Sequence, residues 1–354
     1  MTHDQTVSLT LPLPRTPEPA DAPALRWGVL GAGGIAASFV DALATTQQVV
    51  AAVGSRDVAK AQAFIDAHLA GRGTETRAHG SYEDLVADPD VDVVYVATPH
   101  SEHRDHALLA IDAGKHVLVE KAFARNATEA REIVAAARER GVFAMEAMWS
   151  RFLPHYDVVR QSLELGLLGD VETVIADHGQ LLYPDGPQRM SDPALAGGAL
   201  LDLGIYPVSF AAFVLGDISS VHAVGTLTDA GVDAQCSIVL TSPTRTHASL
   251  STTMTARTPT TASINGTAAR LEIDGDFYMP NVVRLLGTDN TVLDEVALDP
   301  TERHRGLRFE AAEVARCVTA GLTESPLLPL DETVRIMEIL DEVRDAVGVV
   351  YPGE

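Results

Sequence analysis

A lysine that closes one apolar run, and an aspartate and a tyrosine inside another, are the side chains of this sequence best placed to move a proton. The first run is His116-Val117-Leu118-Val119-Glu120-Lys121. A lysine at the C-terminal end of a buried strand can act as proton donor or acceptor for a hydroxyl held beside it. The second run is Gly197-Gly198-Ala199-Leu200-Leu201-Asp202-Leu203-Gly204-Ile205-Tyr206. On a helix, Asp202 and Tyr206 stand four apart and share one face. A carboxylate in such an apolar stretch is costly unless paired. A solvated lysine and a packed tyrosine would be the ordinary reading of each run alone; the two together point to chemistry.

A different signal opens the ordered chain. Gly31-Ala32-Gly33-Gly34-Ile35-Ala36 is a G-x-G-x-x-A motif that follows the apolar run Arg26–Leu30 and starts a helical pattern. Glycines there let the backbone approach a pyrophosphate, and the helix N-terminus offers aligned N–H groups. Gly31, Gly33, Gly34 and Ile35 are therefore expected to hold a dinucleotide. A carboxylate about 20 residues on would bind the ribose hydroxyl of NAD. Ser55-Arg56-Asp57 stands there instead. Arg56 can pair with a 2′-phosphate, so Ser55 and Arg56 favour NADP over NAD. Asp57 is read as the N-cap of the next helix. Thr98-Pro99 ends another apolar run, on the strand edge where open α/β sheets bind ligands, and His103 is expected near the cofactor. His100, His103 and His106 lack the pattern of a metal site and are not assigned one.

The elements that position these residues follow from the hydrophobic pattern. Strand-like runs at Arg26–Leu30, Val49–Gly54, Val91–Thr98, His116–Glu120 and Val142–Ala147 alternate with amphipathic stretches, which implies a parallel sheet with crossover helices. Asn126 with Glu129 reads as a helix start, and Gly141 as that helix's end. After about residue 150 the grammar changes. Helices are expected over Pro154–Leu165 and Gly198–Leu215. Strands follow strands over Val171–Asp177, Val221–Thr228, Ala234–Thr241, His247–Thr255, Thr261–Ile273, Val282–Leu286 and Thr291–Leu298, the mark of an antiparallel sheet. Helices near Leu307–Ala320 and Asp331–Val347 close the chain. The expected organisation is a proline-rich arm over 1–24, extended or disordered, an α/β Rossmann domain over 25–150, and an α+β domain over 151–354. The last has an open, mainly antiparallel sheet and serves substrate binding and oligomerisation; its final helix is free to pack back on the first domain.

Composition narrows the function classes. The 354 residues carry 26 Lys and Arg against 49 Asp and Glu, a net charge of −23. That balance opposes binding to nucleic acid or to an acidic membrane surface. With 46% hydrophobic residues the chain can bury a large core. Two cysteines, Cys236 and Cys317, make neither a disulfide framework nor a zinc site. No uninterrupted apolar run reaches about 18 residues, and the N-terminus lacks a secretory pattern. The expectation is a cytoplasmic protein.

The motifs together resemble the glucose–fructose oxidoreductase/inositol dehydrogenase family from about Leu25 onward. Glu120-Lys121-Ala122 stands where that family has Glu-Lys-Pro, and Gly198 through Tyr206 matches its G-G-x-x-x-D-x-G-x-[HY] helix. The resemblance implies that Lys121, Asp202 and Tyr206 form the catalytic group, with Glu120 close to the nicotinamide. The run Met145 through Pro154 is similar to the branch with dihydrodiol dehydrogenases and NADP-dependent D-xylose dehydrogenases, which implies that Trp149 lies near substrate. Phe152 is a second candidate for substrate contact, and Arg151 reads as a structural ion pair. Ala122 departs from the family's proline, and Tyr206 takes a position often held by His. The implied activity is NADP-dependent hydride transfer with a secondary alcohol or carbonyl of a sugar or polyol. A dihydrodiol is the alternative substrate, and a non-catalytic NADP(H) sensor the alternative class. A homodimer through the face of the second sheet is expected, from the alternation of Ser and Thr with Val239, Leu250 and Met254.

Overall fold

A computed structural model describes residues 9–73, 75–298 and 305–354. Its first half alternates β1 (Arg26–Leu30), α1 (Gly34–Leu43), β2 (Val49–Gly54), α2 (Val58–His68), β3 (Arg77–His79), α3 (Tyr82–Ala87), β4 (Val93–Val96), α4 (His103–Asp112), β5 (His116–Glu120), α5 (Ala127–Arg140) and β6 (Ala144–Ala147). The six strands pair in parallel in the order β3-β2-β1-β4-β5-β6. This is the doubly wound Rossmann arrangement, with its crevice at the C-terminal ends of β1 and β4, where the strand order reverses. β4 is fully buried and β5 nearly so, which is why both read as unbroken apolar runs. The helix ends obey local rules. Asn126 accepts from the N–H of Glu129 at 2.9 Å, and Gly141 ends α5 in the left-handed region at φ 66°.

The second half comprises α6 (Pro154–Glu164), β7 (Val171–Gly179), α7 (Ile205–Leu215), β8 (Ser220–Leu227), β9 (Asp233–Thr241), β10 (His247–Thr253), β11 (Ala262–Gly266), β12 (Ala269–Ile273), β13 (Val282–Gly287), β14 (Val292–Ala297), α8 (Leu307–Thr319) and α9 (Leu330–Val347). Its eight strands run β14-β13-β12-β11-β7-β10-β9-β8. All pairs are antiparallel except β7 with β10. The run expected as a single strand over Thr261–Ile273 is two strands, β11 and β12, joined by a turn after Asn265-Gly266. One face of the sheet packs on α7, and the other leaves Ile175, Val224 and Val239 exposed. The segment Pro193–Leu215 is long and apolar enough to cross a membrane by length and composition, although no uninterrupted run stood out in the sequence. It is mostly buried inside this domain.

The last two helices return to the first domain. α8 packs on α1 and α9 on α5, and Ala144 of β6 donates its N–H to Thr323 at 3.1 Å. The proline-rich arm, from Leu9 on, is not a loose tail. Leu11 is buried and donates its N–H to Asp294 at 2.8 Å. Arg15 meets Asp157 of α6 through its N–H at 2.6 Å and its guanidinium at 3.2 Å. Arg316 of α8 and Gln47 then hold the carbonyls of Glu18 and Ala20 at 2.7 and 2.9 Å. The prolines keep α-helix and sheet out of the arm, which forms one short 3-10 turn at Pro19–Asp21 and otherwise relies on side-chain partners. Residues 1–8 lie outside the described residues.

Candidate active site

The glycine motif forms a cradle at the crevice. Gly31 has φ +106°, and a Cβ there would sit 2.8 Å from the Ala97 carbonyl oxygen, so both backbone freedom and close packing demand glycine. A Cβ on Gly33 or Gly34 would meet nothing within 4 Å. That open space lies at the start of α1, whose first-turn N–H groups have no intrahelical acceptor and whose first turn holds no acidic residue. An anionic pyrophosphate fits there. At the end of β2, Ser55 is buried and Arg56 is exposed. Asp57 is spent on α2, accepting from the N–H of Ala59 at 2.9 Å. Arg56 is thus left as an exposed cation at this strand end, and the glycine cradle fits the pyrophosphate of an NAD(P) cofactor.

Lys121 follows β5 directly. Its Nζ donates to the backbone carbonyl of Asp202 at 2.7 Å and lies 3.5 Å from the Asp202 carboxylate. The ring of Tyr206 is 5.0 Å from the same Nζ. The chain of Leu200–Gly204 takes a π-helical turn before α7 starts, so the run is not the single α-helix that its apolar pattern suggests. Such turns recur at functional sites, and this one carries Asp202. The Lys121–Ala122 peptide is cis.

Electrostatics sort these groups into fixed and mobile protons. Burial works to raise the Asp202 pKa, but Lys121, Arg189 and His100 outweigh it and hold the carboxyl well below the usual range. Asp202 is an anion at any working pH. Burial pushes the Tyr206 phenol well above 10, against a hydrogen bond from Trp149 Nε1 at 2.9 Å. Because Trp149 donates to that oxygen, the phenolic hydrogen is left to point elsewhere. Glu120 accepts from the Tyr95 hydroxyl and, at 3.1 Å, from the N–H of Lys121, and burial raises its pKa above the usual carboxyl value.

A cavity of about 400 Å³ joins the pieces. Its floor is Glu120 and Lys121, one wall is Ile35 and Ser38 of α1, and the opposite wall is Trp149, Tyr206 and Tyr278. Tyr278 stacks at 4.4 Å from Tyr206 and 4.6 Å from His178. Asp41, Met279 and Leu307 complete the lining.

Other sequence candidates are placed differently. His103 is fully buried, its ring nitrogens each 2.8 Å from a backbone carbonyl, Ala122 on one side and Thr98 on the other. It braces two strand ends and does not line the cavity. Burial drives its basicity down to about 3, so it stays neutral. Thr98 pairs with His106 at 3.0 Å, and Pro99 leads into a short turn at His100–Glu102. Phe152 is buried in the core and is absent from the cavity lining, because its turn at Trp149–Phe152 faces α8. Arg151 pairs with Glu332 at 2.7 Å. Among the described residues no group of three His, Cys, Asp or Glu side chains is placed to hold a metal ion.

Family models match both halves of this arrangement. One, described as an oxidoreductase family with an NAD-binding Rossmann fold (GFO/IDH/MocA), covers residues 25–148, and the GFO/IDH/MocA C-terminal domain covers residues 156–272. The chain belongs to the GFO/IDH/MocA family. It is an NAD(P)-binding oxidoreductase. Among its relatives, trans-1,2-dihydrobenzene-1,2-diol dehydrogenase of Bos taurus is 38% identical, covering 94% of this chain and 99% of the relative. The enzyme of the same name from Homo sapiens is 37% identical with the same coverage. A solved 3-ketoreductase from Actinomadura kijaniata, in complex with NADP and TDP-benzene, is 28% identical, with TM-score 0.80 over 92% of this chain and 98% of that one. An aldose-aldose oxidoreductase from Caulobacter crescentus shares the fold at 24% identity and TM-score 0.79, over 92% and 98% of the two chains.

Within this family frame, the residues that escaped the sequence reading are Tyr278, Met279, Leu307 and Arg189, besides Ser38 and Asp41 of α1. The first three come from a loop after β12 and from the start of α8, where no motif marks them. Arg189 had an indirect signal: a buried carboxylate such as Asp202 calls for more than one partner.

Proposed function

We propose that this chain transfers hydride between NADP and a secondary alcohol, or the matching ketone, on a six-membered ring, either a sugar or a cyclic diol. The observation that carries this reading is Lys121 on the cavity floor, tied to Asp202 and beside Tyr206, at the edge of the glycine cradle. In the oxidative direction a secondary alcohol and NADP⁺ become a ketone, NADPH and one proton. Bound NADP supplies the hydride acceptor, or the donor in reverse.

The chain's own residues handle the rest. The hydroxyl proton must leave as the C–H bond breaks, so a base has to lie within hydrogen-bond reach. Lys121 takes that role, and its ammonium returns the proton when a ketone is reduced. Asp202 orients Lys121. Tyr206 keeps its own proton and donates a hydrogen bond to the substrate oxygen, which stabilises the negative charge that grows there. Trp149, Tyr206 and Tyr278 offer rings against which one face of a cyclic substrate can lie. Glu120 and the buried lining exclude water from the reacting face. The aromatic wall and the identity to the dihydrodiol dehydrogenases support a cyclic diol, and the likeness to a 3-ketoreductase supports interconversion of a ketone and an alcohol.

The test is spectrophotometric: NADP and NAD reduction are followed across aldoses, inositols, polyols and trans-dihydrodiols. Turnover with a cyclic diol or sugar, preferring NADP, is expected. Tight NADPH binding without turnover on any of them would replace this reading with a nucleotide sensor. We also propose a homodimer through the exposed face of the second sheet, where Ile175, Ser249, Val239 and His222 form one cross-strand row. Light scattering should report twice the 37.6 kDa chain mass, and a monomer at micromolar concentration refutes it.

A further inference from the structure

Asp202 has two cationic partners, and only one of them faces the cavity. Lys121 reaches its Oδ1 at 3.5 Å from below. Arg189 grips both carboxylate oxygens from the other side, at 3.0 and 3.2 Å. This fork is the closer and better directed pair, as guanidinium geometry favours. Arg189 is not in the cavity lining, and about half of its side chain is exposed. Its place is nonetheless well defined. The next residue, Met190, is fully buried, and its carbonyl accepts from the N–H of Gly198 at 2.9 Å. Further along the same loop, the carbonyls of Ala196 and Gly197 are held by His100 at 3.1 Å and Tyr351 at 2.9 Å. The loop thus delivers one arginine to the back of Asp202.

We propose that Arg189 is a positioning residue that shares the Asp202 charge with Lys121, leaving Lys121 oriented by Asp202 yet able to give up its proton. The inference rests on the role given to Lys121 above. The physical argument is a conflict that the proposed reaction sets. A carboxylate beside a lysine orients it, but it also favours the charged ammonium, which cannot act as a base. A second cation on the same carboxylate relieves that conflict in two ways of the same sign. It draws the carboxylate charge to itself, and its own charge opposes a second positive charge nearby. The other groups around Lys121 are common to the wild type and the Arg189 variants, so they do not account for a difference between them. His100 before α4 and His178 on β7 are buried, and burial holds each at about 4, so both are neutral. Tyr206 on α7 and Tyr278 after β12 keep their protons, as burial raises both. Glu120, on the lysine's own strand, accepts from its backbone N–H at 3.1 Å and from the Tyr95 hydroxyl. Arg189 is the one group whose removal leaves Asp202 to Lys121 alone.

The test compares the wild-type chain with Arg189→Gln and Arg189→Lys. For oxidation, kcat/KM rises with pH as the base loses its proton. Arg189→Gln should move that rise to higher pH by about one unit, as expected for the loss of a nearby compensating charge. On the rising limb this is about a tenfold lower kcat/KM, with wild-type rates regained above it. NADPH affinity should be unchanged. Arg189→Lys, which restores the charge without the fork, should recover part of the shift. A second readout does not depend on turnover: the pH dependence of Lys121 labelling by an amine-reactive reagent, located by peptide mass spectrometry, should shift by the same amount. Labelling that shifts without any turnover would retain the inference while sinking the proposed activity. A lower rate with the same limb and the same labelling curve would make Arg189 merely structural and overturn the inference.

Discussion

Replacing Glu146 with glutamine should make the protein more stable at neutral pH, by an amount that grows with pH in a defined window. Glu146 lies in β6, one residue before its end, among buried groups. One oxygen accepts from the N–H of Phe123 at 3.0 Å, and the Thr333 hydroxyl lies close enough to the carboxyl to favour its ionised form slightly. Burial pushes its carboxyl from 4.5 up to about 7, against the Phe123 N–H and Arg151. A carboxyl raised in the folded state favours folding fully only below its unfolded value, and that contribution is lost as pH rises through the folded one. The shift of about 2.5 units, at about 1.4 kcal/mol each, amounts to about 3 kcal/mol above neutrality. Glutamine keeps the acceptor for Phe123 and has nothing to ionise. Its advantage over wild type should therefore widen by about 2–3 kcal/mol between pH 5 and pH 8. Urea unfolding of both proteins at the two pH values, followed by far-UV circular dichroism, measures this. Taking the difference matters, because His100, His103, His155 and His178 run the opposite way. Burial lowers all four below 6.5, to about 3 or 4, so their contribution is lost as pH falls through that range. They are common to both proteins and cancel. A difference that stays constant from pH 5 to pH 8 would refute the reasoning.

Lys121→Ala should lower turnover by about 10²–10⁴ while NADPH binding, read by its fluorescence, is nearly intact; a loss of only a few-fold would return the proton to another group. Arg56→Ala should weaken NADPH binding by about 1–3 kcal/mol and leave NADH binding as it was. Calorimetry with both cofactors checks this, and an equal loss for both would separate Arg56 from the 2′-phosphate. Removal of residues 1–21 should leave turnover within a few-fold, yet cost about 2–4 kcal/mol of stability from the Leu11 contact and the bonds to Asp157 and Asp294. An unchanged urea midpoint would show that the arm's contacts contribute nothing.

Legibility in the sequence tracked how local the cause was. The parallel strands, the glycine motif and the caps at Asp57 and Asn126 depend on short-range pattern, and they lie where the pattern put them. β3 went unseen because Arg77-Ala78-His79 has no apolar alternation. The split of β11 from β12 falls at Thr267-Ala268; the nearby Asn265-Gly266 marks the region but not the turn itself, since Asn265 pairs with Arg270 inside the ladder. Other features depend on contacts distant in sequence. Nothing in β7 or β10 announces that they pair in parallel, and nothing near Phe152 tells that its ring turns inward while Trp149 reaches Tyr206. The arm illustrates the same limit: its prolines restrict what it can form, and partners far along the chain, Asp157, Asp294 and Arg316 among them, say where it lies.

The return of α8 and α9 to the first domain has a consequence for the order of events at the ribosome. All six parallel strands are made by Ala147, but Thr323, whose carbonyl receives the β6 N–H of Ala144, emerges much later. At about 5–20 residues per second, the intervening chain takes roughly 10–35 s to synthesise. During that interval β6 is an open edge beside a finished sheet, and Leu307 has not yet arrived to close the cavity. The cofactor domain is thus encoded early and finished last. A nascent chain halted near residue 150 would carry a nearly complete nucleotide cradle together with an unprotected strand edge, the kind of surface that chaperones hold.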